Sequence, residues 1–177
     1  MIAIAATNDQ WLLTKDGQPA FLIKEEREIF REITRNNVVV YDYETLGTLP
    51  RKQPFTNRRN IIVTNDRSIR IPDAITVTGT EELKHVLKSY QSDKVYLIGG
   101  PKIFAELIDE CSEAQLSIVH QEVDLSKGKC EFFPNLDKLP NWGKGRTSSE
   151  HFQNGIVWHL QRYINFNYRT HSPVKPN

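Results

Sequence analysis

The 177-residue chain has only two cysteines, Cys111 and Cys130, and a single methionine. Neither thiol lies near a histidine pair or at the spacing of metal ligands, so a disulfide framework and a structural zinc site are both excluded and free thiols in a reducing compartment are expected. Charge of one sign is equally scarce: 23 Lys and Arg stand against 22 Asp and Glu, a net charge of +1. That balance produces no field toward a polyanion, so no nucleic-acid partner is expected. Long apolar runs are missing too. The opening Met1-Ile2-Ala3-Ile4-Ala5-Ala6 has no basic flank and is too short for a signal peptide, and no stretch approaches the length needed to cross a bilayer. A cytoplasmic protein without a membrane partner is expected. No linker or low-complexity tract interrupts the chain, and with 38% hydrophobic residues it can bury a substantial core. A single domain over residues 1–164 and a polar tail over 165–177 are therefore expected.

Hydrophobic period and turn residues set the order of elements. A strand at Ile2 to Thr7 leads through a Gly/Pro-marked loop ending at Pro19 to an amphipathic helix over Leu22 to Ile33, then to an apolar strand at Val38 to Tyr41. A helical turn near Thr45 follows, then strands at Asn60 to Thr64 and Ile75 to Val77. Thr78-x-x-Glu81 has the form of a capping box for a helix carrying Leu83, Val86 and Leu87. Lys94 to Ile98 is a strand ended by Gly99-Gly100, and Pro101 suits the first position of the next helix. From Leu116 only strands are predicted: Leu116 to Val123, Glu131 to Phe133, and runs around Ser148 to Phe152 and Ile156 to Tyr163 joined by the hairpin signal Asn154-Gly155. The fold class is α/β, a mostly parallel mixed sheet with helices on its faces and an antiparallel C-terminal edge.

Glu26 is the one carboxylate on the apolar stripe of the first helix, with Ile23, Ile29, Phe30 and Ile33 at helical spacing from it. A carboxyl group held against such neighbours loses hydration, and its pKa rises. That makes a general acid usable near neutral pH. An ion pair with Lys24 or Arg27 is the plainer alternative. In an open α/β sheet a ligand sits beyond the carboxyl ends of the strands, which here means Ala6 to Thr7, Tyr41 to Asp42 and Ile98 to Gly100. Gly99-Gly100 allows close backbone approach to a ligand such as a phosphate. The basic loop with Arg51, Lys52, Arg58 and Arg59 is either a solvated loop or a clamp for a carboxylate.

Taken in order, Lys15-Asp16-Gly17, Phe21, Glu26, Phe30, Thr45, Arg58-Arg59-Asn60-Ile61-Ile62 and Ile98-Gly99-Gly100-Pro101-Lys102-Ile103-Phe104 resemble the dihydrofolate reductase family from Met1 to about Tyr163. The resemblance implies the three-layer α-β-α form of that fold and reduction of a C=N bond in a pteridine or dihydrofolate-type substrate by NADPH or NADH. It implies that Glu26 is the catalytic acid and that Phe21, Phe30, Leu49, Arg58 and Val119 bind substrate, Arg58 through a glutamate α-carboxylate. It further implies cofactor contacts from Ala6, Leu13, Thr45, Thr64, Ile98, Gly99, Gly100, Lys102, Ile103 and Phe104, a cis Gly99–Gly100 bond, and a monomer or homodimer acting on a small heterocycle. Three positions depart from the family pattern. Asp42-Tyr43-Glu44 replaces a Gly-Arg pair that would meet the 2′-phosphate of NADPH, Val119 replaces a threonine, and Phe21 replaces a tryptophan. Two other readings share the scaffold: a riboflavin-pathway reductase of a ribosylaminopyrimidine phosphate, to which Leu107 to Glu110 and Gly128 to Pro134 are similar, and a non-catalytic binding protein.

Overall fold

The computed structural model describes residues 1–168. Most of the tail, with His171, Pro173 and Pro176, thus lies outside the described residues. Strands β1 (Ile2–Asn8), β4 (Val38–Asp42), β5 (Arg59–Thr64), β6 (Ala74–Thr78), β7 (Val95–Leu97), β8 (Glu113–Val119), β10 (Trp142–Thr147), β11 (His151–Gln153) and β12 (Ile156–Asn165) form one nine-stranded sheet. Its order is β10-β12-β8-β1-β7-β4-β5-β6, with β11 added to β12. The pairs from β8 across to β6 are parallel, and β12 joins antiparallel to β8, β10 and β11. This is the expected mixed α/β sheet. Among the described residues no helix is long and apolar enough to cross a membrane.

Three strands were not anticipated. The loop up to Pro19 contains β2 (Leu12–Lys15) and β3 (Gln18–Pro19), which pair with each other, and β2 also pairs with β9 (Cys130–Phe132) to complete a separate three-stranded sheet. Asp16 and Gly17 carry the positive φ of its tight turn, 52° and 74°, so the glycine read as loop punctuation is a hairpin tip. Strand β10 lies in Trp142-Gly-Lys-Gly-Arg-Thr, whose two glycines mask its strand period. The Asn154-Gly155 turn holds as expected, with φ of 52° and 79°.

Helix α1 (Lys24–Thr34) covers one face of the sheet with α2 (Tyr43–Thr48), and α3 (Gly79–Leu87) and α4 (Pro101–Leu107) cover the other. Strict alternation along β1 divides the core. Met1, Ala3 and Ala5 pack with Leu83, Ile103, Phe104 and Leu107. Ile2 and Ile4 face the other way, with Tyr41, Ile62, Tyr96, Phe30 and Ile33. The expected capping box takes another form. Glu82, not Glu81, accepts the Thr78 backbone N–H at 2.6 Å, and Glu81 pairs with Lys84 at 3.3 Å. Helix α1 has no cap of its own; its Glu25 N–H donates to Gln153 Oε1 from β11 at 3.1 Å, and His151 Nδ1 meets the Glu25 carboxylate at 3.1 Å.

A surface pair at the β8–β12 boundary is titratable. His120 Nε2 and His159 Nδ1 lie 2.9 Å apart and share a hydrogen, and Asp9 stands 3.7 Å from His120 Nδ1. Partial burial and then the neighbouring His120 hold the His159 pKa below its ordinary 6.5, with Asp9 and Glu150 opposing and Lys144 assisting. The folded chain thus binds this proton less readily than the unfolded chain, so the stability contributed here is complete above pH 6.5 and is lost as pH falls below it. In a thermal-melt series from about pH 8 to 5, His159→Gln should flatten the acid-side fall in Tm by a few degrees and leave Tm at pH 8 nearly unchanged. An acid limb of unaltered slope would assign that loss to other groups.

Candidate active site

Parallel registry assembles the site. Ala6 of β1 lies beside Ser117 of β8, which faces Leu160 of β12; two residues on, Asn8, Val119, Trp158 and His151 form the next row. Helix α1 places Glu26 over the first of these rows, where Ser117 Oγ donates to Glu26 Oε1 at 3.3 Å. Burial pushes the Glu26 pKa up from 4.5, and the Ser117 hydroxyl and nearby Arg27 only partly oppose it. Neither Lys24 nor Arg27 forms an ion pair with Glu26; Lys24 reaches Glu28 instead, at 3.9 Å. The plainer reading of Glu26 as an ion-pair partner is therefore not what the structure shows.

The floor beside Glu26 is apolar. Phe21, Ile23, Leu12, Val119 and Trp158 form one cluster with Ala6 and Ile29 at its margin. Trp158 is fully buried and stacks on the His151 ring at 4.3 Å, and its indole N–H has no partner among the described residues. Opposite, Phe30 packs on Phe55 at 5.7 Å, and Phe55 meets the edge of Tyr41 at 5.7 Å, with Leu49 in the same cluster. Phe55 escaped sequence reasoning, although an aromatic inside a basic, proline-marked loop was an available signal. Buried Asn60 fixes it there, accepting from the Phe55 N–H at 3.0 Å and donating to the Phe55 carbonyl at 2.9 Å.

Arg58 stands at the far end of this wall and closes the C-terminus of α1. Its guanidinium donates to Thr34 Oγ1 at 3.1 Å, to the Thr56 carbonyl at 2.8 Å and to the Arg31 carbonyl. Burial, then Arg35 and Arg31, lower its pKa. The five-donor fork is thus oriented by the helix end with N–H groups to spare. A surface concavity of about 990 Å³ on the other side of this loop is lined by Phe55 and Arg58 but not by Glu26. The chemistry-bearing carboxylate, not groove size, locates the site.

The expected cofactor residues divide. Ala6 and Ile98 are half-buried near the carboxyl ends of β1 and β7, and Thr64 ends β5. Leu13 turns into the α3–α4 core, while its neighbour Leu12 faces Phe21. Ile103 and Phe104 are core side chains on the sheet side of α4, so only their backbone could meet a ligand, whereas Lys102 is exposed. The expected cis bond at Gly99–Gly100 is absent; the peptide is trans. The turn is tightly covered: a β-carbon on Gly99 would lie 2.8 Å from Thr45 Cγ2, and one on Gly100 would lie 2.1 Å from Asp42 Oδ2. Asp42 also caps α2 by accepting the Thr45 N–H at 2.8 Å. The apolar residues suit the nicotinamide end of a dinucleotide. At the Gly-Gly turn a carboxylate already occupies the space, and Tyr43 and Glu44 add no cation. Among the described residues no group of three His, Cys, Asp or Glu side chains could hold a metal ion.

Sheet order and crossover helices define an α/β scaffold with a carboxylate held over the β1–β8 row. A profile of the family described as dihydrofolate reductase matches residues 1–165, and the chain belongs to that family. It is similar to the bifunctional dihydrofolate reductase-thymidylate synthase of Paramecium tetraurelia, 28% identical over 147 residues, covering 82% of this chain and 30% of that protein. The chain likewise spans 28% of the corresponding Glycine max protein, at 26% identity. Dihydrofolate reductase of Mycoplasma genitalium is 25% identical over 139 residues, covering 72% of this chain and 86% of that one. The structure of Enterococcus faecalis dihydrofolate reductase complexed with NADP(H) and RAB-propyl shares the fold, with a TM-score of 0.80 at 23% identity, covering 93% of this chain and 95% of that one.

Gly100 has extended backbone angles, φ −75° and ψ 177°, that alanine adopts freely. The cost of Gly100→Ala is therefore steric: the new methyl must expel the Asp42 carboxylate from its cap, a loss of about 1 kcal/mol or more. Asp42→Gly alone should cost a few tenths of a kcal/mol. In denaturant melts the double variant should recover most of the Gly100→Ala loss; strict additivity would place the clash elsewhere.

Proposed function

We propose that the chain is a nicotinamide-dependent reductase that converts a C=N bond of a dihydrofolate-type pteridine to CH–NH. The carrying observation is Glu26, a half-buried carboxylate of raised pKa over the β1–β8 row, between an apolar floor and an aromatic wall. A reduced nicotinamide, when bound, supplies the hydride to carbon, and Ala6, Ile98, Thr45, Thr64, Gly99 and Gly100 are the residues that would hold it. The nitrogen must gain a proton as the carbon gains the hydride. Glu26 serves that need by gripping the donor edge of the heterocycle, with burial favouring its protonated form more than water would. Phe21, Val119 and Trp158 exclude water from the same space, which strengthens the interaction. Phe30, Phe55 and Leu49 pack on the flat part of the substrate, and Arg58, flanked by Arg31 and Arg35, suits a terminal carboxylate.

The free thiols Cys111 and Cys130 support a reducing, cytoplasmic setting. Nothing in the site favours the ribosylaminopyrimidine reading, and the retained acid speaks against a scaffold without catalysis.

Glu26→Gln tests the assignment on two axes. Turnover of dihydrofolate should fall by about 10²-fold or more. Because burial raises the folded pKa above 4.5, the stability linked to this group is complete below pH 4.5 and is lost as pH rises through the folded value. The Gln variant should therefore match the parent in acid and melt higher at pH 7. A fully active variant, or one that melts lower at pH 7, would sink the acid role.

Cofactor choice follows from Asp42, Tyr43 and Glu44. With carboxylates where a 2′-phosphate would need a cation, NADPH should bind within about tenfold of NADH, a difference of no more than about 1.4 kcal/mol. Asp42→Gly with Tyr43→Arg should shift the preference toward NADPH. Fluorescence titration of both nucleotides decides the point, and a native preference for NADPH well above tenfold would refute the charge argument.

A further inference from the structure

We infer that Ser117 positions Glu26 and sets the pH window in which it works; this rests on the reading of Glu26 as the site's acid. Side chains of β8 alternate between the two faces of the sheet. Ile118 joins the α3–α4 core, while Val119 and Ser117 face α1. Only these two positions at the end of the strand can offer a group to the carboxylate, and Val119 offers none. The hydroxyl is therefore on the row of Ala6 and Leu160 instead of the row of Asn8 and Trp158.

Ser117 is buried, at 3% exposure, and Glu26 is the one side chain with which its hydroxyl bonds among the described residues. Conversely, no other side chain among them bonds Glu26, and Oε2 has no partner there. A single hydroxyl hydrogen thus holds one carboxylate oxygen against the strand and leaves the other without a side-chain partner among the described residues. The separation of 3.3 Å is long for such a bond. Contacts of this kind shorten once substrate expels water and the carboxylate carries full charge. Ser117 is a positioning residue in this arrangement, since it acts on the reaction through Glu26.

The test follows the Glu26 proton directly. In substrate-free protein labelled with 13C at Glu carboxyls, the Glu26 resonance, assigned by its loss in Glu26→Gln, is titrated in the parent, in Ser117→Ala and in Ser117→Thr. Ser117→Ala should titrate at higher pH than the parent, and Ser117→Thr should return toward it. The alkaline limb of kcat/KM for dihydrofolate should move up in step, with plateau kcat/KM about tenfold lower in Ser117→Ala, equivalent to about 1.4 kcal/mol. An unshifted Glu26 titration in a folded Ser117→Ala protein overturns the inference, as does a shifted titration with an unmoved kinetic limb. If the parent reduces no dihydrofolate at all, the proposed function fails; the carboxyl titration then still decides whether Ser117 holds Glu26.

Discussion

The pairing of β1 with β7 on one side and β8 on the other, parallel in both cases, is the constraint from which the site follows. Strand β1 is buried almost throughout, and Met1 with the strand residues Ile2 to Ala5 divides alternately between two cores. A slip of one residue would exchange these cores, which fixes the register. Once it is fixed, Ala6 must lie beside Ser117 and Asn8 beside Val119. Asn8 then carries the order outward: its side-chain carbonyl accepts the Gln10 and Leu12 N–H groups at 3.1 Å each, and its amide donates to the Gln121 carbonyl at 2.8 Å. The loop leading to β2 is pinned to the segment after β8, and the cleft has a defined rim.

Two charged side chains near the cleft serve the fold as well as a ligand. Arg58 closes α1 through carbonyls and a hydroxyl, and Asp42 opens α2 through its cap. In each case helix-terminal groups left without partners orient the side chain before any ligand arrives. The consequences differ in sign. Capping leaves Arg58 a cation with N–H groups still free, so pre-orientation assists an incoming carboxylate. Asp42 is an anion placed against Gly100, so its pre-orientation opposes an incoming phosphate.

The parallel sheet, the helix order and Glu26 were legible because they depend on period: apolar runs flanked by turn residues, and one acid on an apolar stripe. What remained hidden depends on long-range partners. Strand β2 is short and is held by pairing with β9, more than a hundred residues away in the chain, and the two-residue β3 adds only to β2, so no local period announces them. Leu12 and Leu13 are adjacent and equally apolar, and only the alternation of β2 decides which faces Phe21. Ile103 and Phe104 stand in a motif that suggested ligand contact, but a short helix against a sheet needs its apolar residues inward, and packing took them. Phe55 became part of the wall through Asn60, a polar side chain whose role depends on the folded loop.

A general acid buried in this way answers to two opposed demands. It must be oriented, which calls for hydrogen-bond donors, yet each donor to a carboxylate stabilises its charged form and lowers its pKa. Several donors would fix Glu26 firmly and hold its pKa low, leaving it without a proton near neutral pH. With none, the carboxyl would be free to turn in an apolar pocket. One long bond from Ser117, with Val119 contributing no second hydroxyl, satisfies both demands: it selects an orientation while burial still dominates the pKa. The apolar residue on the neighbouring row is then part of the same device as the serine, since a hydroxyl on both rows would push the balance back toward the ionised acid.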